Sequence, residues 1–208
     1  FVAVGLFYRA GYLRQEIDAE GHQQLRYLPV YGGDLAFGEA QDASGAPLRL
    51  HVDLLGRDVA IRVWIGRLGE ITLLLLDTDL DTNTDDDRRI THELYGGGLE
   101  TRIAQEIVLG IGGVRALRAL GFAPTVWHVN EGHAAFMMLE RLREHVRLGL
   151  DFHSALEAVA AATVFTTHTP VPAGHDVFPH ELMRQYFPQL IEELGVTEHT
   201  LFALGASL

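Results

Sequence analysis

Two segments of the 208-residue chain carry residue types that could do chemistry. In the first, the apolar run Val126-Trp127-His128-Val129 meets Asn130-Glu131-Gly132-His133 and then Ala134-Ala135-Phe136. In the second, Val164-Phe165-Thr166 meets Thr167-His168-Thr169-Pro170 and continues to His175-Asp176. Each reads as a strand ending in a polar turn that contains histidine. Amides and carboxylates grip paired hydroxyls, and imidazole donates or accepts. That mixture suits a neutral polyhydroxylated ligand such as a sugar. Either segment alone also fits a structural turn, because Asn130 and Thr169 are ordinary cap and turn formers. Two of them at corresponding strand ends point to a site, since parallel sheets place ligands beyond the carboxyl ends of their strands.

The elements around them must bring the two ends together. Residues 1–8 read as a buried strand. Residues 48–54 and 59–65 alternate with period two, and 71–76 is a third apolar run. These three predict an antiparallel group with one wet face, turning at Gly56 and at residues 66–69, and not necessarily joined to the main sheet. A short helix is expected over 88–95 and a long one over 100–120, with Ile103, Ile107, Ile111, Val114 and Leu117 on one stripe. Gly112 and Gly113 inside that helix each cost about 1 kcal/mol relative to Ala, which implies close packing against another backbone. Gly121 ends it. Then follow a strand at 125–129, helices at 134–147 and 152–161, a strand at 162–167 and a helix over 180–194. This alternation predicts an α/β fold with a parallel sheet, strand-rich over 1–76 and α/β over 77–208.

Composition narrows the chemistry. Sixteen basic residues face 28 acidic ones, a formal charge of -12, which disfavours nucleic-acid binding. Cysteine is absent, so a thiolate nucleophile and any Cys-based metal site are excluded. Every basic residue is Arg, which excludes a Schiff-base or P-loop lysine. The apolar stretch around 71–76 is too short to cross a bilayer. Asp77 to Asp85 suggests a calcium loop, but Thr82 and Arg88 stand where an EF-hand needs Gly and Glu, so a solvated acidic loop leading into a helix is expected. His92-Glu93 lacks the second zincin histidine, and Gly110-Ile111-Gly112 lies within a helical pattern. Zinc held by His128, His133, His168 and His175 has no compact ligand spacing to support it. The chain opens on Phe1 and reads as a piece of a longer protein.

Several strings together resemble the α-glucan phosphorylases of the bacterial glycogen and maltodextrin type. They are Val4 to Tyr12, Leu94-Tyr95-Gly96-Gly97 with Glu100 to Glu106, Leu109 to Leu117, His128 to Phe136, and Val164 to Asp176. The resemblance implies part of the N-terminal, glucan-binding domain of a two-domain cytoplasmic glycosyltransferase of the GT-B type, a doubly wound Rossmann-like domain with an antiparallel subregion. It implies phosphorolysis of terminal α-1,4-glucosidic bonds, with α-glucan and inorganic phosphate as partners and α-glucose 1-phosphate as product. It also implies pyridoxal phosphate, held by a lysine of a C-terminal domain outside this chain, so the chain alone would be inactive. His168 matches the family's catalytic histidine, whose carbonyl and side chain face the sugar at the cleaved bond. Asn130, Glu131, His133 and Thr169 match substrate-binding positions. Glu131 matches a position that also takes Asp in relatives; two positions depart from the pattern, Gly98 standing where relatives have Asp and His22 where Trp is usual. The rival expectations are a nucleotide-sugar glucan synthase and a non-catalytic carbohydrate-binding fragment.

Overall fold

A computed structural model describes residues 1–11, 14–26, 29–30, 36–94, 96–169 and 176–205. Its largest sheet has five strands: β1 (Val2–Leu6), β4 (Gly38–Glu39), β5 (Arg49–Leu54), β6 (Arg57–Leu68) and β7 (Ile71–Asp77). Leu50, Val52 and Leu54 of β5 are buried while Arg49, His51 and Asp53 are exposed, as period two requires. The pairs β5–β6 and β6–β7 are antiparallel, and β1 joins β7 in parallel, Val2 opposite Thr72 through Leu6 opposite Leu76. The antiparallel group is therefore continuous with β1. Gly66 lies within β6 rather than in the turn; a Cβ there would fall 1.8 Å from the Phe37 ring, so glycine is what lets that ring lie on the sheet. An exposed hairpin of β2 (Arg14–Ile17) and β3 (Gln23–Arg26) stands apart, and β8 (Trp127–Asn130) pairs with β9 (Thr163–Thr166) in a separate parallel pair. Among the described residues the architecture is mixed α/β with several sheets.

Short α1 (Asp85–Arg88) starts at Thr84, whose side chain accepts from the Asp87 N–H. It precedes the 88–95 helix expected from sequence, because Thr84 and the acidic first turn cap an earlier start. The acidic loop before it is also less solvated than expected. Asp77 is fully buried and accepts from the Trp64 indole at 3.0 Å, while Asp79 pairs with Arg9 at 2.8 Å and Arg88 at 2.7 Å.

The long helix is α2 (Leu99–Ile107), a π-helical turn (Val108–Gly112) and α3 (Gly113–Ala119). Its apolar stripe packs on Val52, Ile61 and Leu76 of the sheet. The backbone contact expected from the glycines is made by Gly110, where a Cβ would sit 2.6 Å from the Met137 amide nitrogen; Gly112 and Gly113 face the side chains of Ile61 and Val4. Helix α4 (Phe136–Arg147) crosses there, followed by α5 (Phe152–Ala161). The helix expected over 180–194 is two, α6 (His180–Tyr186) and α7 (Pro188–Leu194), because Pro188 starts a helix more readily than it continues one. A last helix, α8, spans Glu198–Ala203.

Candidate functional site

The two polar clusters meet. Strands β8 and β9 pair in register from Trp127 opposite Thr163 to Asn130 opposite Thr166, so both chains leave the same end of the pair. At the other end, buried Arg141 lies 4.8 Å from the Trp127 ring centroid and donates to the Thr163 hydroxyl at 2.8 Å, fixing both strand starts.

Glu131 follows β8 and organises the rim. Its φ is 60°, a conformation that non-glycine residues seldom adopt and that persists only when surroundings enforce it. The enforcing contacts are explicit. Its carboxylate accepts the backbone N–H of His168, the N–H of Thr169 at 3.0 Å, the Thr169 hydroxyl at 3.3 Å and the Thr167 hydroxyl at 3.2 Å. The His168 N–H, chief among these donors, holds the carboxyl below its ordinary range despite burial. Sequence gave Glu131 a place beside the sugar; the bonds drawn here go to the strand end beyond β9.

Asn130 and His168 lie on the exposed side of the rim. The Asn130 Oδ1 is 3.0 Å from the His168 Nε2. An amide oxygen only accepts, so the imidazole proton is on Nε2 and Nδ1 is left as an acceptor. Below them the His128 Nε2 and Thr166 hydroxyl are 2.7 Å apart across the pair. His133 sits in a 3-10 turn (Gly132–Ala134), away from that contact, and its Nδ1 is 3.2 Å from the Arg102 guanidinium. His175 lies outside the described residues, as does Tyr95.

Size does not mark the site. A concavity of about 770 Å³ among the described residues is lined by Arg57, Asp87, Arg89 and Glu93 and lies away from the rim, its chief ion pair being Arg57–Asp87 at 3.0 Å. No protein-family model matches the chain. Curated relatives do. A glycogen phosphorylase of Mycobacterium tuberculosis is 48% identical over 193 residues, covering 89% of this chain and 22% of the relative. A maltodextrin phosphorylase of Thermococcus litoralis is 43% identical over 198 residues, covering 95% and 24%. The chain is homologous to a segment of the glycogen and maltodextrin phosphorylases. It spans less than a quarter of the length of these two phosphorylases. A glycogen phosphorylase of Aquifex aeolicus matches at 30% identity over 99% of the chain.

The chain also holds a group that sequence reading missed. Glu106, His133 and Asp176 bring one donor atom each within 4.8 Å of one another. Such a triad could hold a metal ion, but Arg102 already points a cation at it, 2.6 Å from Asp176. Glu106 lies among apolar stripe residues of α2, and no motif links it to Asp176, 70 positions later.

Proposed function

We propose that the chain is the glucan-binding part of an α-glucan phosphorylase, and that the polypeptide containing it cleaves terminal α-1,4-glucosidic bonds with inorganic phosphate to give α-glucose 1-phosphate. The observation that carries the reading is the interlock of Asn130, Glu131, His168 and Thr169 at one end of β8–β9. The carboxylate and backbone N–H groups hold the strand ends, and the imidazoles and amide remain to face hydroxyls. His168 is the catalytic candidate: held by its N–H on Glu131, its carbonyl is oriented as a fixed dipole for positive charge developing at a glycosyl centre. Asn130, His133 and Thr169 bind and orient the glucan.

The wider GT-B arrangement is part of the same reading. The open edges of β1 and β8 border one groove of about 590 Å³, lined by Val2, Val4, Phe122 and Trp127 among others. One further strand there would join β7–β1 and β8–β9 into a single parallel sheet with helices against it. Val164 and Phe165 of β9 are exposed, as a face that meets another domain would be. Pyridoxal phosphate belongs to the reading only as a group bound elsewhere: without lysine, this chain has no residue for an imine link, and no step here is assigned to it. The cytoplasm is the expected compartment.

The test is product analysis with the full-length polypeptide. Maltoheptaose with orthophosphate should give α-glucose 1-phosphate, and orthophosphate should be required. Elongation of maltoheptaose from a nucleoside-diphosphate glucose, without phosphorolysis, would instead establish a glucan synthase.

A further inference from the structure

Glu106 is one turn on from Arg102 along α2 and only 5% exposed. Its Oε1 has no hydrogen-bond partner. It faces a cavity of about 260 Å³ that Tyr8, Leu94, Arg102 and His133 also line. The Arg102 Nη2 lies 2.6 Å from the Asp176 Oδ2 and 3.2 Å from the His133 Nδ1. A guanidinium only donates, so His133 Nδ1 accepts and the neutral ring carries its proton on Nε2. Asp176, outside that cavity and more exposed, presents a carboxylate oxygen within 4.8 Å of one of Glu106's, so a second carboxyl group lies beside the same guanidinium. Ionising both would set a second negative charge in a buried place beside the first. Burial first, and the neighbouring Asp176 carboxylate second, push the Glu106 carboxyl up to about 9, while Asp176, against the pull of its own partial burial, is held below its ordinary range chiefly by Arg102.

We propose that Glu106 is a positioning residue, an uncharged acid that donates a hydrogen bond to Asp176, so that Arg102 and Asp176 hold His133 with its proton on Nε2 as a donor to a glucan hydroxyl. The identity of that hydroxyl rests on the phosphorylase reading; the uncharged state of Glu106 does not. Losing the proton adds charge beside Asp176, draws the guanidinium towards the carboxylates and takes the donor away from His133 Nδ1. Among the described residues, the titratable and charged groups facing Glu106 are Arg102 from α2, His133 from the 3-10 turn, Asp176 from the approach to α6, and Tyr8 beyond β1.

The experiment compares the full-length polypeptide with its Glu106→Gln, Glu106→Ala and Tyr8→Phe variants between pH 5 and 9.5. Calorimetric binding of maltoheptaose is the first readout. Wild-type affinity should weaken about fourfold from pH 7 to 9.5, the fraction of neutral acid left half a unit above its midpoint. Glu106→Gln keeps a donor and cannot ionise, so its affinity should stay flat. Glu106→Ala should bind more weakly throughout, and Tyr8→Phe should keep the wild-type fall. A Gln variant that weakens with pH as the wild type does overturns the proposal. Thermal unfolding is the second readout. Folded Glu106 keeps a proton that the unfolded chain loses above its ordinary pKa, so wild-type stability should fall relative to Glu106→Gln as pH rises to 9. A constant difference overturns the uncharged Glu106 even if no glucan binds. Absence of glucan binding by the wild type at pH 7 contradicts the phosphorylase reading, and the unfolding series then decides Glu106 alone.

Discussion

The turn after β8 and the last turn of α2 each bury a glutamate, and the two are shifted in opposite directions. Glu131 is 6% exposed and Glu106 is 5% exposed, yet burial is the chief influence on Glu106 while donors outweigh it at Glu131. Glu131 meets two backbone N–H groups and two hydroxyls, all placed for a carboxylate. Glu106 has one unpartnered oxygen and a second carboxyl group for company. A buried carboxyl is charged where N–H donors converge on it and neutral where they do not. The first arrangement stiffens a turn against its own backbone preference. On the proposal made for Glu106, the second stores a proton close to His133.

The largest effect should come from removing the charged member. Glu131→Ala strands the N–H groups of His168 and Thr169 and frees a backbone held at φ 60°. Activity of the full-length polypeptide should fall about a hundredfold, the scale of an ångström-level misplacement of catalytic groups. Glu131→Gln, which keeps an acceptor, should lose less. Steady-state kinetics with circular dichroism as a folding check separates the two.

The comparison is sharpened by pH. A lowered folded pKa at Glu131 contributes stability above the carboxyl's ordinary value, lost as pH falls through the folded one; the raised value at Glu106 works the other way, with stability falling as pH rises from its ordinary value to about 9. Thermal midpoints should therefore lose part of their acid-side fall in Glu131→Gln and part of their alkaline-side fall in Glu106→Gln. The same limb flattened in both variants would break the contrast.

Smaller effects follow for the histidines. His168→Ala should lower turnover, and His133→Ala should chiefly weaken glucan binding. Each loses hydrogen bonds worth about 0.5–1.5 kcal/mol, a twofold to twelvefold change in the corresponding constant. Equal effects on kcat and KM in both variants would remove the distinction between them.

How much of this was legible in sequence differs by region. Period two gave β5 and β6, and α5 runs over the expected 152–161. The apolar-to-polar transitions at Asn130 and Thr167 marked where β8 and β9 end, so the rim could be read from local pattern. Glu131's task could not, because its partners lie 36 to 38 positions away in β9's continuation. Gly66 looked like part of a turn, and Gly110 like half of a glycine pair inside a helix with no task of its own; only the Phe37 ring and the α4 backbone explain them. The start of α7 was local after all, since Pro188 announces it.

Gly98 carries the smallest expected change. It is the N-cap of α2 at φ -94°, with no side chain to cap the helix and open space where a Cβ would go. Gly98→Asp needs no left-handed backbone, and capping should add a few tenths of a kcal/mol. A slightly higher unfolding midpoint is expected; a lower one would mean that the acid is unwelcome among its neighbours, which include Glu100.

The most direct test remains phosphorolysis by the full-length polypeptide beside its Glu131→Ala variant, followed as α-glucose 1-phosphate released from maltoheptaose and orthophosphate. The wild type is expected to form the product only with orthophosphate, and the folded variant to form it about a hundredfold more slowly. A wild type that releases no glucose 1-phosphate, or a variant that matches it, would contradict a phosphorylase whose rim is built on Glu131.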